Sequence, residues 1–298
     1  MQKLLREFIP VADEVHRLQK GKDPEARFFR GFSEQGHYGG RTLPTDTRQG
    51  IYAVTPAGEF LASVNSRNGR DVANMLEKAL KRWGTLESKR RLGKMFKPGK
   101  NTRFDRHYPE DGLVLRCVSR DMKVQDGLSD TDWRRHAWNQ DFAWFLKHEV
   151  NSMLPEPKLG ATKEMPLPLA HRLVKCHLLD NVRGQTQPYR DSHIKAARIV
   201  FKVTRVSGKF RHLTITGNTR AERTEKWKGG MECEILGRAV HNGERFTQFQ
   251  MVALGRRWGE TQYNARSGQD KSKLGIALVL DNKAPRVAPA NYWVYGWR

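Results

Sequence analysis

Residues 195–216 read KAARIVFKVTRVSGKFRHLTIT. The run Lys195–Val206 turns at Ser207-Gly208-Lys209 into Phe210–Thr216, and apolar positions alternate with polar or basic ones on both sides of the turn. Two strand-like runs joined by a glycine-bearing turn predict an antiparallel hairpin. A second pair of runs, Met231–Val240 and Phe246–Leu254, meets at His241-Asn242-Gly243-Glu244. Asn-Gly between two strand-like runs is the strongest short hairpin signal in the chain. Gly275–Asp281 adds a further strand, and Leu167–Leu179 is a mixed apolar stretch. Residues 165–298 are therefore expected to form a basic, mostly antiparallel β domain, as a sandwich or a curled sheet.

The same hairpin carries Lys195, Arg198, Lys202, Arg205, Lys209 and Arg211. Arg256-Arg257-Trp258 adds a basic-aromatic turn, and Arg220, Arg223, Lys226 and Lys228 add further charge. The chain of 298 residues holds 54 Lys+Arg against 32 Asp+Glu, a formal charge of +22, and more than half of that excess lies after residue 164. Such cations can grip a polyanion, nucleic acid or acidic glycan, through counterion release, with an aromatic available for stacking. A solvated sheet face also needs charge, and Lys and Arg protect exposed strands from aggregation. Register decides between these readings, and the sequence does not give it. A second basic run, Glu87–Arg106, contains Gly93, Pro98 and Gly99 and is expected to be a solvated linker.

Between these regions lies WRRHAWNQDFAWFLKHEVNSML, residues 133–154, preceded by Ser129 and Asp132 at capping-box spacing. Aromatics fall on two helical lines, so the run is expected to be a helix buried from two sides. It would serve as the connector of a middle segment, residues 85–164. Pro155, Pro157, Pro166 and Pro168 mark its end.

At the front, Phe8–Val15 has the character of a short strand, interrupted by Pro10. Asp23, Pro24 and Glu25 signal a helix start, with Phe28, Phe29 and Phe32 as its apolar stripe. GIYAVT (50–55) and EFLASVN (59–65), joined by Pro56-Ala57-Gly58, predict a hairpin, and Gly69–Trp83 predicts an amphipathic helix. On LLREFIPVADEV, GIYAVTPAGEFLASVN and DVANMLEKALKRW, residues 1–84 resemble the second half of a thioredoxin-like domain. The resemblance implies an α/β architecture lacking its first strand and its Cys-x-x-Cys turn. No cysteine precedes Cys117, and the position where the family carries a cis-proline reads Thr47-Arg48-Gln49-Gly50. It therefore implies a redox-inactive module, with Arg48, Gln49 and Gly50 on the surface where a protein partner would bind. The missing front has two readings: a redox-dead module, or a longer protein whose redox centre precedes Met1.

No complete catalytic motif is present. The chain lacks a P-loop, G-x-S-x-G, H-E-x-x-H and any paired Cys/His zinc pattern. Cys176-His177 are expected on opposite sides of a strand, and Asp180, Asp191, His193 and His212 are expected to be ordinary polar residues. No cofactor is implied. The three cysteines are too few for a disulfide framework. No apolar run is long enough to span a bilayer, and MQKLLREFIPVADEV lacks the features of a secretory signal. The expected class is α+β, and the expected role is binding or scaffolding, with polyanion binding by the last domain as the alternative.

Overall fold

The alternation over residues 195–216 becomes two strands of 14 residues each, paired antiparallel from Ala196↔Arg220 to Ser207↔Phe210. They belong to the second of two units, Met1–Arg103 and Phe104–Arg298, into which the chain divides. The computed structural model describes residues 2–13, 15–37, 47–66, 68–97, 107–122, 129–184, 186–260, 264, 266, 271–281 and 286–297.

The first unit contains α1 (Gln2–Leu5), α2 (Val15–Lys20), α3 (Pro24–Ser33), β1 (Ile51–Val54), β2 (Phe60–Val64), α4 (Gly69–Thr85) and α5 (Ser88–Arg91). The Asp23 side chain accepts the Ala26 N–H at 2.8 Å, and Pro24 opens α3, where its missing N–H costs nothing. The hairpin forms as expected, with Ile51 opposite Val64. Its turn needs glycine at position 58: φ is +83°, and a Cβ there would lie 2.5 Å from the Phe28 ring. Val72, Met75, Leu76 and Ala79 of α4 pack with Ala53 and Leu61 of the hairpin. The strand expected over Phe8–Val15 does not form. Ile9 and Val11 are 92% and 87% exposed, and Pro10 lacks the N–H that a ladder would use. Of the expected linker, Ser88–Arg91 is helical, and residues 98–106 lie outside the described residues.

The second unit contains β3 (Leu113–Asp121), β4 (Trp138–Phe145), α6 (Lys147–Met153), β5 (Thr162–Glu164), α7 (Leu167–Cys176), β6 (Ile194–Ser207), β7 (Phe210–Arg223), β8 (Gly229–His241), β9 (Phe246–Gly259) and β10 (Ser272–Leu280). Among the described residues these strands make one eight-stranded antiparallel sheet, ordered β4-β3-β10-β9-β8-β7-β6-β5. One face is dry. Ile199, Phe201, Ile215, Ile235, Met251, Ile276 and Leu115 point inward against Val150 and Met153 of α6 and Leu169, Leu173 and Val174 of α7. Each fully buried side chain of this kind contributes about 1.5–3 kcal/mol.

The aromatic run requires a correction. Asp132 caps only a short 3-10 turn, Trp133–His136, and residues 138–145 are a strand. Here Ala143 and Phe145 face the inner core, while Phe142 and Trp144 are buried on the other side with Tyr292 and Tyr295 of the C-terminal tail. A strand covered on both faces puts aromatics on two lines, as a buried helix does. The middle segment therefore supplies β3 and β4 to the main sheet rather than a helical connector. The apolar stretch from residue 167 is the helix α7, so Cys176 and His177 lie at a helix end and not along a strand.

The tail protects the β4 edge. The Trp144 backbone N–H donates to the Tyr295 hydroxyl at 3.2 Å, which occupies a ladder group otherwise open to another chain. Arg172 sits beneath the tail, bidentate to Glu149 at 2.7 Å and 4.5 Å from the Tyr295 ring centre.

Candidate functional site

The outer face of the sheet, away from α6 and α7, carries the side chains at the alternate positions, and the strand register arranges them in rows. The first row runs Lys202, Thr214, Arg238, Gln250, Val279, Arg116 from β6 to β3. The next, two residues along, runs Val200, Thr216, Leu236, Val252, Ala277, Val118. The third runs Arg198, Asn218, Glu234, Leu254, Gly275, Arg120 and ends at Trp138 on β4. The fourth includes Arg220, Glu232, Arg256 and Lys273. Leu236, Val252 and Leu254 remain 67%, 47% and 50% exposed, and Trp138 is 59% exposed. An apolar band thus lies between two rows rich in cations, which stand about 20 Å apart along the strands.

Carboxylates answer several of these cations, among them Glu222, which lies 3.2 Å from Arg220. Glu232 contacts Lys271 at 3.0 Å and Arg220 at 3.8 Å, Arg198 reaches Glu164 of β5 at 3.4 Å, and Arg116 reaches Asp281 at 3.7 Å. Among the described residues Arg238 donates to the neutral Gln250 amide, at 3.3 Å. Solvent-exposed pairs at these distances are each worth about 0–1 kcal/mol, so they leave the positive potential of the face largely in place.

Of the residues expected to bind a polyanion, Arg198, Lys202 and Arg256 share this face. Arg205 and Lys209 are exposed at the far end of the β6–β7 hairpin, beyond a bulge, and Lys195 is exposed at the start of β6. Arg211 is half-buried and donates to the Pro155 carbonyl at 3.0 Å. Two of the expected residues are not available at the surface. Arg257 is buried, with Nε 3.1 Å from Asp180, and burial, only partly offset by Asp180, lowers its pKa. Trp258 is also buried, lying against Gly230, with the Lys271 ammonium 4.8 Å from its ring centre. The residues missed from the sequence are Arg116, Arg120, Arg238, Lys273 and the apolar band. The alternation Glu234-x-Leu236-x-Arg238 was the available signal.

Two polar clusters lie inside the second unit. At one end of the sheet Asp180 contacts Arg266 at 2.6 Å as well as Arg257, and Asp121 contacts Arg266 at 2.7 Å and Arg183 at 3.5 Å. The second cluster borders a small cavity lined by Cys117, Ser119, Asn139, Asp141, His177, Leu179, Asn181 and Ile276. There His177 Nδ1 meets Asp141 at 3.1 Å and Nε2 meets the Tyr295 hydroxyl at 2.7 Å. The Ala290 N–H donates to the other Asp141 oxygen at 2.8 Å. With the carboxylate bonded on both oxygens, the arrangement ties the tail to β4 and to the end of α7. Burial raises the Tyr295 hydroxyl and the Cys117 thiol well above their ordinary values, and holds Cys176 and Cys233 at about 12. All three thiols are buried and protonated at neutral pH.

The other polar residues singled out in the sequence go separate ways. Asp191 binds His171 and Lys175, and His193 contacts Glu225 at 2.7 Å. Among the described residues no group of three or more His, Cys, Asp or Glu is placed to hold a metal ion. In the first unit, Arg48 is buried and donates from Nε to Glu34 at 2.6 Å, while Gln49 and Gly50 are exposed. A Cβ at position 50 would lie 2.4 Å from the His37 ring, so this loop requires glycine by close approach. No described helix is long and apolar enough to cross a membrane. No protein-family model, no curated protein and no solved structure matches the chain.

Proposed function

We propose that the chain is a binding protein that recruits an anionic macromolecule to the open face of its second unit. We further infer that its first unit is a thioredoxin-like module without thiol–disulfide chemistry in this chain. The observation that carries the first part is the register: it gathers Arg116, Arg198, Lys202, Arg238, Arg256 and Lys273 on one sheet face, where all of them are exposed. The reading of the first unit draws support from the order α3, β1–β2 hairpin, α4, and from the lack of any cysteine before Cys117. The burial of all three thiols agrees with a role that is not redox catalysis.

The test is binding of the full chain to a single-stranded oligonucleotide and to heparin, followed against salt. The logarithm of the affinity falls linearly with the logarithm of salt concentration, with a slope that reports several phosphate or sulfate contacts. The double variant Arg238→Glu/Arg256→Glu weakens binding and lowers that slope by about 2. Absence of binding to every anionic probe, these two polymers and an acidic peptide alike, at ~50 mM salt overturns the reading.

A further inference from the structure

We propose that the occupant of the open face is an acidic amphipathic helix of a protein partner, laid across the strands. This rests on the anionic-partner reading and deepens it. A flexible polyanion has use for the cations but none for Leu236, Val252 and Leu254, which form a contiguous exposed band between them. Leu236 stands directly opposite Val252, and Leu254 lies two residues further along the same strand as Val252.

The spacings suit a helix. Neighbouring strands are about 4.8 Å apart, close to the roughly 5.4 Å rise of one helical turn, so a helix crossing the strands can present about one apolar side chain to each. The basic rows on either side stand about 20 Å apart, and a helix with its side chains is about 10–12 Å across. Glutamates on both flanks of such a helix reach Arg238 on one side and Arg256 on the other. A second copy of this face is excluded as occupant by like charge. A bilayer is disfavoured because the apolar band is narrow and flanked by charged side chains, with Arg238 on one long side and Glu234, Glu232 and Arg256 on the other.

The experiment uses the full chain and a labelled helical peptide of about 18 residues, roughly 27 Å long, with leucines along one face and glutamates on both flanks. A scrambled peptide of the same composition, the single-stranded oligonucleotide and phosphatidylglycerol vesicles are the comparison probes. The amphipathic peptide binds about tenfold more tightly than its scrambled isomer. The exposed-site variant Leu236→Ser/Leu254→Ser removes that preference while leaving the scrambled peptide and the oligonucleotide unaffected. Equal binding of the two peptides, or tighter binding to vesicles than to the amphipathic peptide, overturns this proposal and leaves the anionic-partner reading standing. Failure of every anionic probe, the oligonucleotide included, overturns both.

Discussion

His241 is buried at the end of β8, where its Nδ1 accepts the Gly243 N–H at 3.1 Å. Burial, followed by the charges of Arg211 and Lys147, lowers its pKa from 6.5 to about 4. The unfolded chain therefore takes up a proton near pH 6.5, which the folded chain refuses until about pH 4. The stability this imidazole contributes is complete above pH 6.5 and is lost as the pH falls toward 4. Denaturant unfolding of the wild type and His241→Gln should show the wild-type advantage shrinking by about 2 kcal/mol across that interval. A difference that does not change with pH would mean that His241 takes up its proton at the same pH in the folded and unfolded chain. Arg256 and Arg257 make a related point. They are neighbours of identical chemistry, yet one is exposed on the outer face and the other is buried against Asp180. At this scale composition cannot say which cation meets solvent, because the answer depends on the side of the pleat.

Among the elements, both long hairpins were legible because their turns are local. Gly208 and Gly243 take φ of +57° and +94°, the conformations that the Ser-Gly-Lys and Asn-Gly turns predict. The Asp23–Pro24 helix start and the apolar face of α4 were legible for the same reason. The strand β4 was not. Its aromatic content on both faces is produced by Tyr292 and Tyr295, about 150 residues away in the chain, and no local pattern reports that cover. The strand interiors also hold glycines whose purpose only packing reveals. A Cβ at Gly255 would lie 1.8 Å from the Glu232 carbonyl oxygen, a backbone atom that cannot step aside. At Gly275 the nearest atom is the Met122 sulfur, at 2.9 Å, on a flexible side chain. Gly255→Ala should therefore cost about 3 kcal/mol or more and Gly275→Ala about 1 kcal/mol or less, as read from chemical denaturation. Equal costs would show that the β8–β9 ladder yields more readily than its geometry implies.

For the whole molecule, the structural divide falls at Arg103 and Phe104. Every strand of the large sheet, both helices on its inner face and the tail that guards β4 lie after it. Residues 104–298 expressed alone should unfold cooperatively in denaturant and retain the anion binding proposed for the full chain. A fragment that aggregates or melts without a transition would show that the first unit is needed for the second to fold. The basic character and antiparallel class of residues 165–298 were visible in the sequence, whereas the strands that residues 113–145 add to the same sheet were not. The site itself was only partly visible: Arg198, Lys202 and Arg256 were identified, but the partners that make them a face come from strands separated by long stretches of chain. Register is a property of pairing, and pairing over such separations is set by the packed core.

The alternation within β6 to β10 has one more consequence. Residues that hold the sheet together and residues exposed on its outer face occupy opposite parities along the same strands. Substitutions at positions such as 202, 236, 238, 252 and 254 leave the inner packing untouched and act only through cross-strand pairs worth about 0.2–1 kcal/mol each. The outer face can therefore change its charge and polarity with little cost to the fold, whereas the inner face cannot.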